Sequence, residues 1–295
     1  MRAKEIVLIS GKGGTGKTTV TSSFVWWMYR NNYNFVIADA DVDAADMHLL
    51  LKPQIKRKEY FTGKSIAEIN TESCISCDLC KQYCRFDAID IIDDNYVVNP
   101  FRCDGCGLCK IVCPVDSAID MIPQTVGEWY ISDTNSGKMV HAKLYPGAEN
   151  SGNLVTMVKH QAHLIADDAN IPYIIVDGPP GIGCPVTSSL SGASYAVVVS
   201  EPTFSAIHDM ERAVDTAFHF RVPVGLVLNK ASLNDKNAQA VKKYAEKKGV
   251  PFLGSIPFSR CIIDSLVSGK FALEGCPELT ENFESIFKKI LEEVK

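Results

Sequence analysis

Short, mostly apolar runs recur along the chain and alternate with longer mixed segments. Because turn-forming residues lie at both ends of each run, the runs are predicted to be buried strands. The runs cover 5–9, 35–38, 173–176, 195–200, 224–229 and 251–256. The longer segments are predicted helices at 18–31, 153–168, 204–219, 235–248 and 278–294. Strands separated by helices predict an α/β fold, with a doubly wound, mostly parallel sheet.

The first apolar run leads directly into a glycine-rich loop. Residues 10–19 contain the pattern G-x4-G-K-[ST] between a predicted strand and a predicted helix, which is the context of a phosphate-binding loop. Backbone N–H groups and the helix N-terminus would face phosphate oxygens. Lys17 would contact the β- and γ-phosphates of ATP, and Thr18 would bind Mg²⁺. The predicted nucleotide-binding residues of the loop are Gly11, Lys12, Gly13, Gly14, Thr15, Gly16, Lys17, Thr18 and Thr19.

Acidic segments follow two later strands, with Asp39 and Asp41 after 35–38 and Asp177 after 173–176. Together with the extra loop lysine, Lys12, they make the chain similar to the deviant phosphate-loop ATPases. That family includes the nitrogenase iron protein, MinD, ParA and Mrp-type cluster carriers.

The resemblance implies a homodimer formed through bound ATP, in which Lys12 reaches the nucleotide of the partner. It implies that Lys12, Lys17 and Asp41 are catalytic, with Asp41 orienting the attacking water. Asp39 and Asp177 would hold Mg²⁺ together with Thr18, and Asn229 would contact adenine. The plainer alternatives are a solvated loop lysine at position 12 and a strand-end turn residue at position 229.

Eight of the eleven cysteines occur in two copies of one spacing, C-x2-C-x2-C-x3-C. This is the spacing of bacterial ferredoxins with two [4Fe–4S] clusters, in which the fourth cysteine of each run binds the other cluster. The rule assigns Cys74, Cys77, Cys80 and Cys113 to cluster 1, and Cys103, Cys106, Cys109 and Cys84 to cluster 2. The segments 88–92 and 118–122 follow the two runs with similar sequences, so the repeat extends to a strand in each half.

Other uses of these cysteines fit the spacing less well. Zinc sites close with four ligands, commonly as two Cys-x2-Cys pairs or with histidine, and no histidine lies between Cys74 and Cys113. Disulfide frameworks are typical of short secreted chains. Of the other three cysteines, Cys184 is expected to pack or to meet an acceptor rather than bridge a third cluster. Cys261 and Cys276 have no partner spacing and are expected to be small buried residues.

The cysteine region interrupts the ATPase pattern between its two acidic segments. We therefore predict three segments: 1–63 as the first part of the ATPase, 64–124 as an inserted ferredoxin-like α+β domain, and 125–295 as the second part. The second part is predicted to begin with a hairpin over 126–145. Insertions of this kind are tolerated where chain ends lie close together at the surface.

Composition limits the partners and the location of the protein. The net charge of −5 disfavours a surface built to bind nucleic acid. No apolar run reaches the roughly 18–20 residues of a membrane span, so no membrane insertion is expected. The helix over 278–294 mixes both charges on its polar face and is expected to pack in the core. Many free thiols and no export signal favour a cytoplasmic location.

These features predict an ATPase that binds ATP, Mg²⁺ and two [4Fe–4S] clusters and couples nucleotide-driven dimerisation to electron transfer. An unidentified redox partner protein would exchange electrons with the clusters. Two alternatives stay open: an iron–sulfur cluster carrier or assembly ATPase, and a redox-sensing positioning ATPase of the MinD/ParA type. Clusters that only hold a small domain together are a further possibility.

Overall fold

A computed structural model describes residues 2–295, and the chain divides into two compact units. The first unit comprises residues 2–59, Glu128–Leu144 and Ser151–Lys295, and the second comprises Tyr60–Gly127 and Tyr145–Asn150. The segment 64–124 lies within the second unit. That unit also contains the short stretch after the hairpin, which the sequence did not indicate.

Eleven helices and eleven strands account for most of the described residues. The helices are α1 (Lys17–Arg30), α2 (Met47–Leu51), α3 (Leu79–Gln82), α4 (Leu108–Val112), α5 (Ser151–Asp168), α6 (Cys184–Leu190), α7 (Phe204–His219), α8 (Asp235–Lys248), α9 (Arg260–Val267), α10 (Ala272–Gly275) and α11 (Thr280–Glu293). The strands are β1 (Lys4–Ser10), β2 (Phe35–Asp39), β3 (Gln54–Ile69), β4 (Ile89–Ile92), β5 (Asn95–Val98), β6 (Ile119–Thr134), β7 (Gly137–Leu144), β8 (Tyr173–Pro180), β9 (Tyr195–Ser200), β10 (Val224–Leu228) and β11 (Phe252–Ser255). Short 3₁₀ helices cover Ala231–Leu233 and Pro277–Leu279.

Nine strands form one sheet in the order β11-β10-β9-β1-β8-β2-β7-β6-β3. The pairs from β11 to β7 are parallel, so the predicted α/β fold with a large, mostly parallel sheet is confirmed. Because β1 lies between β8 and β9 and runs parallel to both, the carboxyl ends of the three strands meet at one edge of the sheet. The loops that leave this edge carry the glycine-rich and acidic segments.

The core of the first unit lies between this sheet and the helices packed on it. Strand β1 is buried from Glu5 to Ser10, as expected for a central parallel strand. Phe24 of α1 stacks on Phe287 of α11, with ring centroids 4.8 Å apart. The apolar face of α11 is buried in the same core, as the sequence indicated. Among residues 2–295, no helix combines the length and apolar character that a bilayer span requires.

Cys261 and Cys276 form a disulfide bond, which their expected role as small buried residues did not include. Cys276 is buried, as expected, whereas Cys261 is only partly buried. Cys261 lies in the first turn of α9, and Cys276 directly follows α10. The two helices approach closely at Gly275, where a Cβ would collide with the side chain of Ser265. This approach brings the two cysteines together across a sequence separation of 15, and the spacing alone gave no sign of it.

The core of the second unit is small and contains cysteines among its apolar residues. Strands β4 and β5 form a separate antiparallel pair. Ala88 and Ile89 are buried in one half of the repeat, and Ala118 and Ile119 are buried to the same degree in the other. With so few large apolar side chains in it, the packing around the cysteines is a substantial part of this core.

Candidate nucleotide site and cysteine cavities

The glycine-rich loop joins β1 to α1 at the carboxyl edge of the sheet. Gly14 and Gly16 adopt left-handed backbone angles, with φ of 80° and 89°, which glycine reaches without a steric penalty. The hydroxyl oxygen of Thr15 is buried without a hydrogen-bond partner. Buried polar atoms are usually satisfied, so this hydroxyl fits a loop that receives a polar ligand such as a phosphate group.

Lys17, at the start of α1, lies among the acidic residues of the two following strands. Its Nζ is 3.0 Å from Oδ2 of Asp177 and 3.3 Å from Oδ2 of Asp41. Burial alone would lower the pKa of Lys17, but the carboxylates of Asp177, Asp41 and Asp39 outweigh burial and raise it. Lys17 is therefore a charged ammonium held beside the loop.

Asp177 is the centre of a hydrogen-bonded group at the end of β8. The hydroxyl of Thr18 donates to its Oδ2 over 2.8 Å, and the hydroxyl of Thr21 donates to its Oδ1 over 2.6 Å. Asp39 is the register partner of Asp177 on β2. The structure thus brings together the three residues predicted to bind Mg²⁺, namely Thr18, Asp39 and Asp177. Thr21 was not predicted, although it lies one helical turn after Lys17.

The acidic side chains around Lys17 outnumber the basic ones: Asp39, Asp41 and Asp177 surround a single ammonium group. Burial raises the pKa of Asp39 well above its ordinary value, and the neighbouring charge of Asp177 adds to the effect. Burial also raises the pKa of Asp41, although Lys17 opposes the shift. Three carboxylates around one ammonium suit a site that takes up a further cation. Oxygen ligands of this kind are those that Mg²⁺ prefers, so these residues fit the ion.

Asn229 follows β10 and closes on the glycine-rich loop. Its side-chain amide donates to the carbonyl oxygen of Thr15 over 2.8 Å. A Cβ at position 16 would collide with this amide, so the contact requires Gly16. The structure therefore places Asn229 against the nucleotide loop, where it both anchors the loop and borders the space next to it.

Lys12 points back into its own chain. Its Nζ is 3.1 Å from Oε1 of Glu201 and donates to the hydroxyls of Thr203 and Ser205 over 3.3 and 3.1 Å. Glu201, directly after β9, also pairs with Lys230. The sequence gave no sign of Glu201 or Lys230, because their positions depend on the order of strands in the sheet.

The loop after β8 also contacts the start of the glycine-rich loop. The amide of Gly181 donates to the carbonyl oxygen of Ser10 over 2.8 Å, and Gly181 has a φ of 94°. Cys184 begins α6 a few residues later, and its thiol is free and exposed.

Lys159 of α5 connects α6 to β1. Its Nζ donates to the carbonyl oxygen of Ser189 over 2.6 Å and pairs with Glu5 over 2.9 Å. The far end of α6 is therefore fastened to β1.

The eight cysteines of the two runs line two separate cavities in the second unit. The first cavity is lined by Cys74, Cys77, Cys80 and Cys113. The second is lined by Cys84, Cys103, Cys106 and Cys109. Each cavity thus collects three cysteines of one run and the last cysteine of the other. This is the crossed arrangement that the ferredoxin spacing predicts.

The thiols are spaced too widely for a single metal ion. Among residues 2–295, only Cys261, Cys276 and Glu278 place three potential ligand atoms within 4.8 Å of one another, and those two cysteines are joined in a disulfide. Tetrahedral zinc, with Zn–S distances near 2.3 Å, would draw its thiolates closer than this. All eight cysteines of the cavities are free, so the donor set fits a larger, polynuclear group.

One cysteine of each cavity is exposed and another is deeply placed. Cys77 and Cys106 are exposed, whereas Cys80 and Cys103 are buried. Burial raises the pKa of Cys80 to about 11, and burial also raises the pKa of Cys109. These thiols stay protonated at neutral pH unless a positively charged group such as iron stabilises the thiolate.

Two asparagines that the sequence did not indicate repeat the same contacts in each half of the second unit. Asn70 and Asn99 each precede the first cysteine of a run by four residues. The amide of Cys74 donates to the carbonyl oxygen of Asn70 over 3.0 Å, and that of Cys103 donates to Asn99 over 3.0 Å. The side-chain oxygens accept from the amides of Glu72 and Phe101 over 2.9 and 3.0 Å. The shared offset from the cysteines was the available signal.

Three comparisons relate the chain to known proteins. Residues 6–272 match the family model of the CobQ/CobB/MinD/ParA nucleotide-binding domain. The chain is 31% identical to the uncharacterized protein MJ0578 of Methanocaldococcus jannaschii, over 98% of this chain and 96% of that protein. The cell division ATPase MinD of Pyrococcus furiosus has a similar fold, with a TM-score of 0.59 and 18% identity over 98% of this chain and 99% of that chain. The septum site-determining protein MinD of Pyrococcus horikoshii, complexed with Mg-ADP, gives a TM-score of 0.58 and 18% identity over 98% and 96% of the two chains.

Proposed function

We propose that this chain, which belongs to the CobQ/CobB/MinD/ParA nucleotide-binding domain family, couples an ATPase cycle to electron transfer through two [4Fe–4S] clusters. MinD/ParA-type members of the family are ATPases, and this chain is an ATPase of that type. The observation that carries the proposal is the division of eight cysteines into two cavities of four, in a chain that also contains a complete phosphate-binding loop.

The nucleotide part of the proposal assigns roles to residues at the carboxyl edge of the sheet. The backbone of residues 11–19 would hold the phosphates of ATP, and Lys17 would contact the β- and γ-phosphates. Thr18, Asp39 and Asp177 would hold Mg²⁺, which supplies positive charge to the transferred phosphoryl group when bound. Asn229 would border the adenine ring.

Asp41 is the proposed residue for orienting the attacking water. It follows β2, and its carboxylate is 3.3 Å from Nζ of Lys17, so it lies next to the proposed γ-phosphate position. Phosphoryl transfer depends mainly on positioning and on charge stabilisation. Release of Lys17 from Asp41 by an incoming phosphate would leave the carboxylate available for water.

The cluster part of the proposal assigns four thiolates to each group. Cys74, Cys77, Cys80 and Cys113 would hold cluster 1, and Cys84, Cys103, Cys106 and Cys109 would hold cluster 2. When bound, such clusters supply one-electron redox chemistry at potentials that hydrogen bonds and exposure adjust. The apolar residues around the buried cysteines would exclude water, whereas the exposed Cys77 and Cys106 would place an edge of each cluster near the surface.

The charge of the second unit supports a basic redox partner. Residues 60–127 and 145–150 contain eleven acidic and five basic residues, and each oxidised cluster with four thiolates would add negative charge. Complementary charge mainly speeds encounter and sets orientation. A redox protein with a basic surface therefore fits this unit better than an acidic one.

The first test is the number and type of clusters in protein purified without oxygen. We expect about eight iron and eight sulfide atoms per chain, and an EPR spectrum of two interacting [4Fe–4S] clusters after reduction. Stoichiometric zinc in place of iron, or a chain that binds one cluster or none after reconstitution, would overturn the cluster assignment without affecting the ATPase assignment.

A second candidate function is a positioning ATPase of the MinD/ParA type that uses its clusters as a redox sensor. The fold similarity to MinD favours this candidate. A sensor changes its dimerisation with the cluster oxidation state but passes no electrons onward in repeated turnover. Steady electron transfer through the clusters to a protein acceptor, dependent on ATP, distinguishes the first proposal from this one.

A further inference from the structure

Glu201 joins Lys12 of the glycine-rich loop to Lys230, which follows β10. Its Oε1 is 3.1 Å from Nζ of Lys12, and its Oε2 is 2.8 Å from Nζ of Lys230. Only 8% of Glu201 is exposed, so the carboxylate makes these contacts in a largely buried position. One carboxylate thereby connects the loop lysine after β1 with the lysine after β10.

Each lysine is bound by further oxygen atoms of the same chain. Lys12 donates to the hydroxyls of Thr203 and Ser205, and Thr203 is itself the N-cap of α7. Lys230 donates to the carbonyl oxygen of Gly14 over 2.8 Å. The group therefore ties the nucleotide loop to the start of α7 through Glu201.

The carboxylate of Glu201 carries a full charge in this setting. Burial would raise its pKa, but hydrogen bonds from Lys230 and Lys12 outweigh burial and lower it. Lys12 is thus neutralised within its own chain. A triphosphate carries several negative charges and competes with a single carboxylate for the ammonium group.

We propose that Glu201 is a positioning residue that holds Lys12 inside its own protomer and must release it before two ATP-bound protomers associate. This inference rests on the proposed role of Lys12 at the partner's nucleotide. Dimerisation then exchanges the pair of Lys12 with Glu201 for a pair with a phosphate across the interface. Since the exchange happens twice per dimer, Glu201 sets how much ATP-bound protein is needed for association.

The effect of removing the carboxylate charge follows from this exchange. Glu201→Gln keeps the shape and an oxygen acceptor but frees Lys12 from the ion pair. A partly exposed ion pair is worth up to about fivefold in an equilibrium constant, and two such pairs are broken per dimer, which sets an upper limit of about 25-fold. We expect the dimer dissociation constant, measured with a non-hydrolysable ATP analogue, to fall about tenfold.

The experiment uses the full, cluster-loaded chain under anaerobic conditions and measures dimerisation by sedimentation velocity. It compares the original chain with Glu201→Gln, Lys12→Ala and the double variant, each with the ATP analogue and with ADP. The matched control is Asp215→Asn, which breaks a 3.0 Å ion pair with Lys248 away from the loop and is expected to leave dimerisation unchanged. Thermal unfolding and the affinity for a fluorescent ADP check that each variant is folded and binds nucleotide.

The expected result has two parts. Glu201→Gln strengthens association only with the ATP analogue, and it has no effect once Lys12 is replaced by alanine. If Lys12→Ala abolishes dimerisation but Glu201→Gln leaves it unchanged or weakens it, the role of Glu201 is wrong while the proposed dimer stands. If Lys12→Ala dimerises like the original chain, the proposed role of Lys12 is wrong, and the inference falls with it.

Discussion

Cys113 lines the same cavity as Cys74, although the two belong to different cysteine runs and a whole pair of strands, β4 and β5, separates them in the chain. The last cysteine of the first run, Cys84, lies in the other cavity. Each proposed cluster site therefore depends on both halves of the repeat. Loss of one half would leave neither site with four ligands.

Single substitutions of the crossing cysteines test this arrangement. Cys113→Ser should perturb the proposed cluster in the first cavity, and Cys84→Ser the proposed cluster in the second, because each removes one of four thiol ligands. Iron content should fall, and a different component of the reduced EPR spectrum should change in each variant. Cys184→Ser is the control, since its thiol is exposed and lines neither cavity. Identical spectra for the Cys84 and Cys113 variants would contradict the crossed assignment.

Asp41→Asn should reduce ATP turnover by about 100-fold or more, because the amide cannot accept a proton from an oriented water as a carboxylate does. The nucleotide affinity should change only a few-fold, since the side chain would not contact the base or the α-phosphate. Steady-state phosphate release and a fluorescent nucleotide titration measure the two quantities. Asp43→Asn is the control in the same segment, as Asp43 is exposed. Unchanged turnover in Asp41→Asn would rule out the proposed role.

The disulfide between Cys261 and Cys276 should contribute measurably to the stability of the first unit. In the chain-entropy view, closing a loop of this length, with a sequence separation of 15, stabilises the folded state by about 3 kcal/mol. The double variant Cys261→Ala and Cys276→Ala should therefore unfold at a lower denaturant concentration. It should keep its iron content, because neither cysteine lines a cluster cavity. Equal stability of variant and original chain would show that the bond is absent or without effect.

His141 should make the folded state less stable as the pH falls. Burial lowers its pKa to about 4, and His48 adds a smaller effect, whereas an unfolded chain has a histidine pKa near 6.5. The unfolded state therefore binds a proton first, and stability is lost between about pH 6.5 and pH 4, by about 3 kcal/mol in total. His141→Gln should show a shallower pH dependence of the denaturation midpoint than the original chain. Parallel curves would contradict the burial of a neutral ring.

The parts of the molecule that depend on local pattern could be predicted from the sequence. The strands around the glycine-rich loop follow from short apolar runs, and the pairing of cysteines into two sets follows from their spacing. The position of Glu201 could not be predicted, because it requires β9 and β10 to lie beside β1 in the sheet. The disulfide could not be predicted for a similar reason, because it depends on the close packing of α9 on α10 at Gly275.

In the second unit, too, the sequence predicts the local pattern but not the contacts between distant residues. Its internal repeat is visible in the sequence. The hydrogen bonds that hold the repeat together, however, run from one half to the other. The amide of Asn70 donates to the carbonyl oxygen of Ala118 over 2.9 Å, and the amide of Asn99 donates to that of Ala88 over 2.7 Å. Spacing indicates which residues are equivalent, whereas only the folded chain shows which of them meet.

The central claim is that the nucleotide state acts on the clusters, and an anaerobic redox titration followed by EPR tests it most directly. The midpoint potentials should be measured in the presence of Mg²⁺ with the ATP analogue, with ADP and without nucleotide. Coupling predicts that the analogue shifts at least one potential by about 60 mV, which corresponds to a tenfold change for a one-electron step, and changes the rate of electron transfer to an acceptor. Identical potentials and identical rates in all three states would contradict the account.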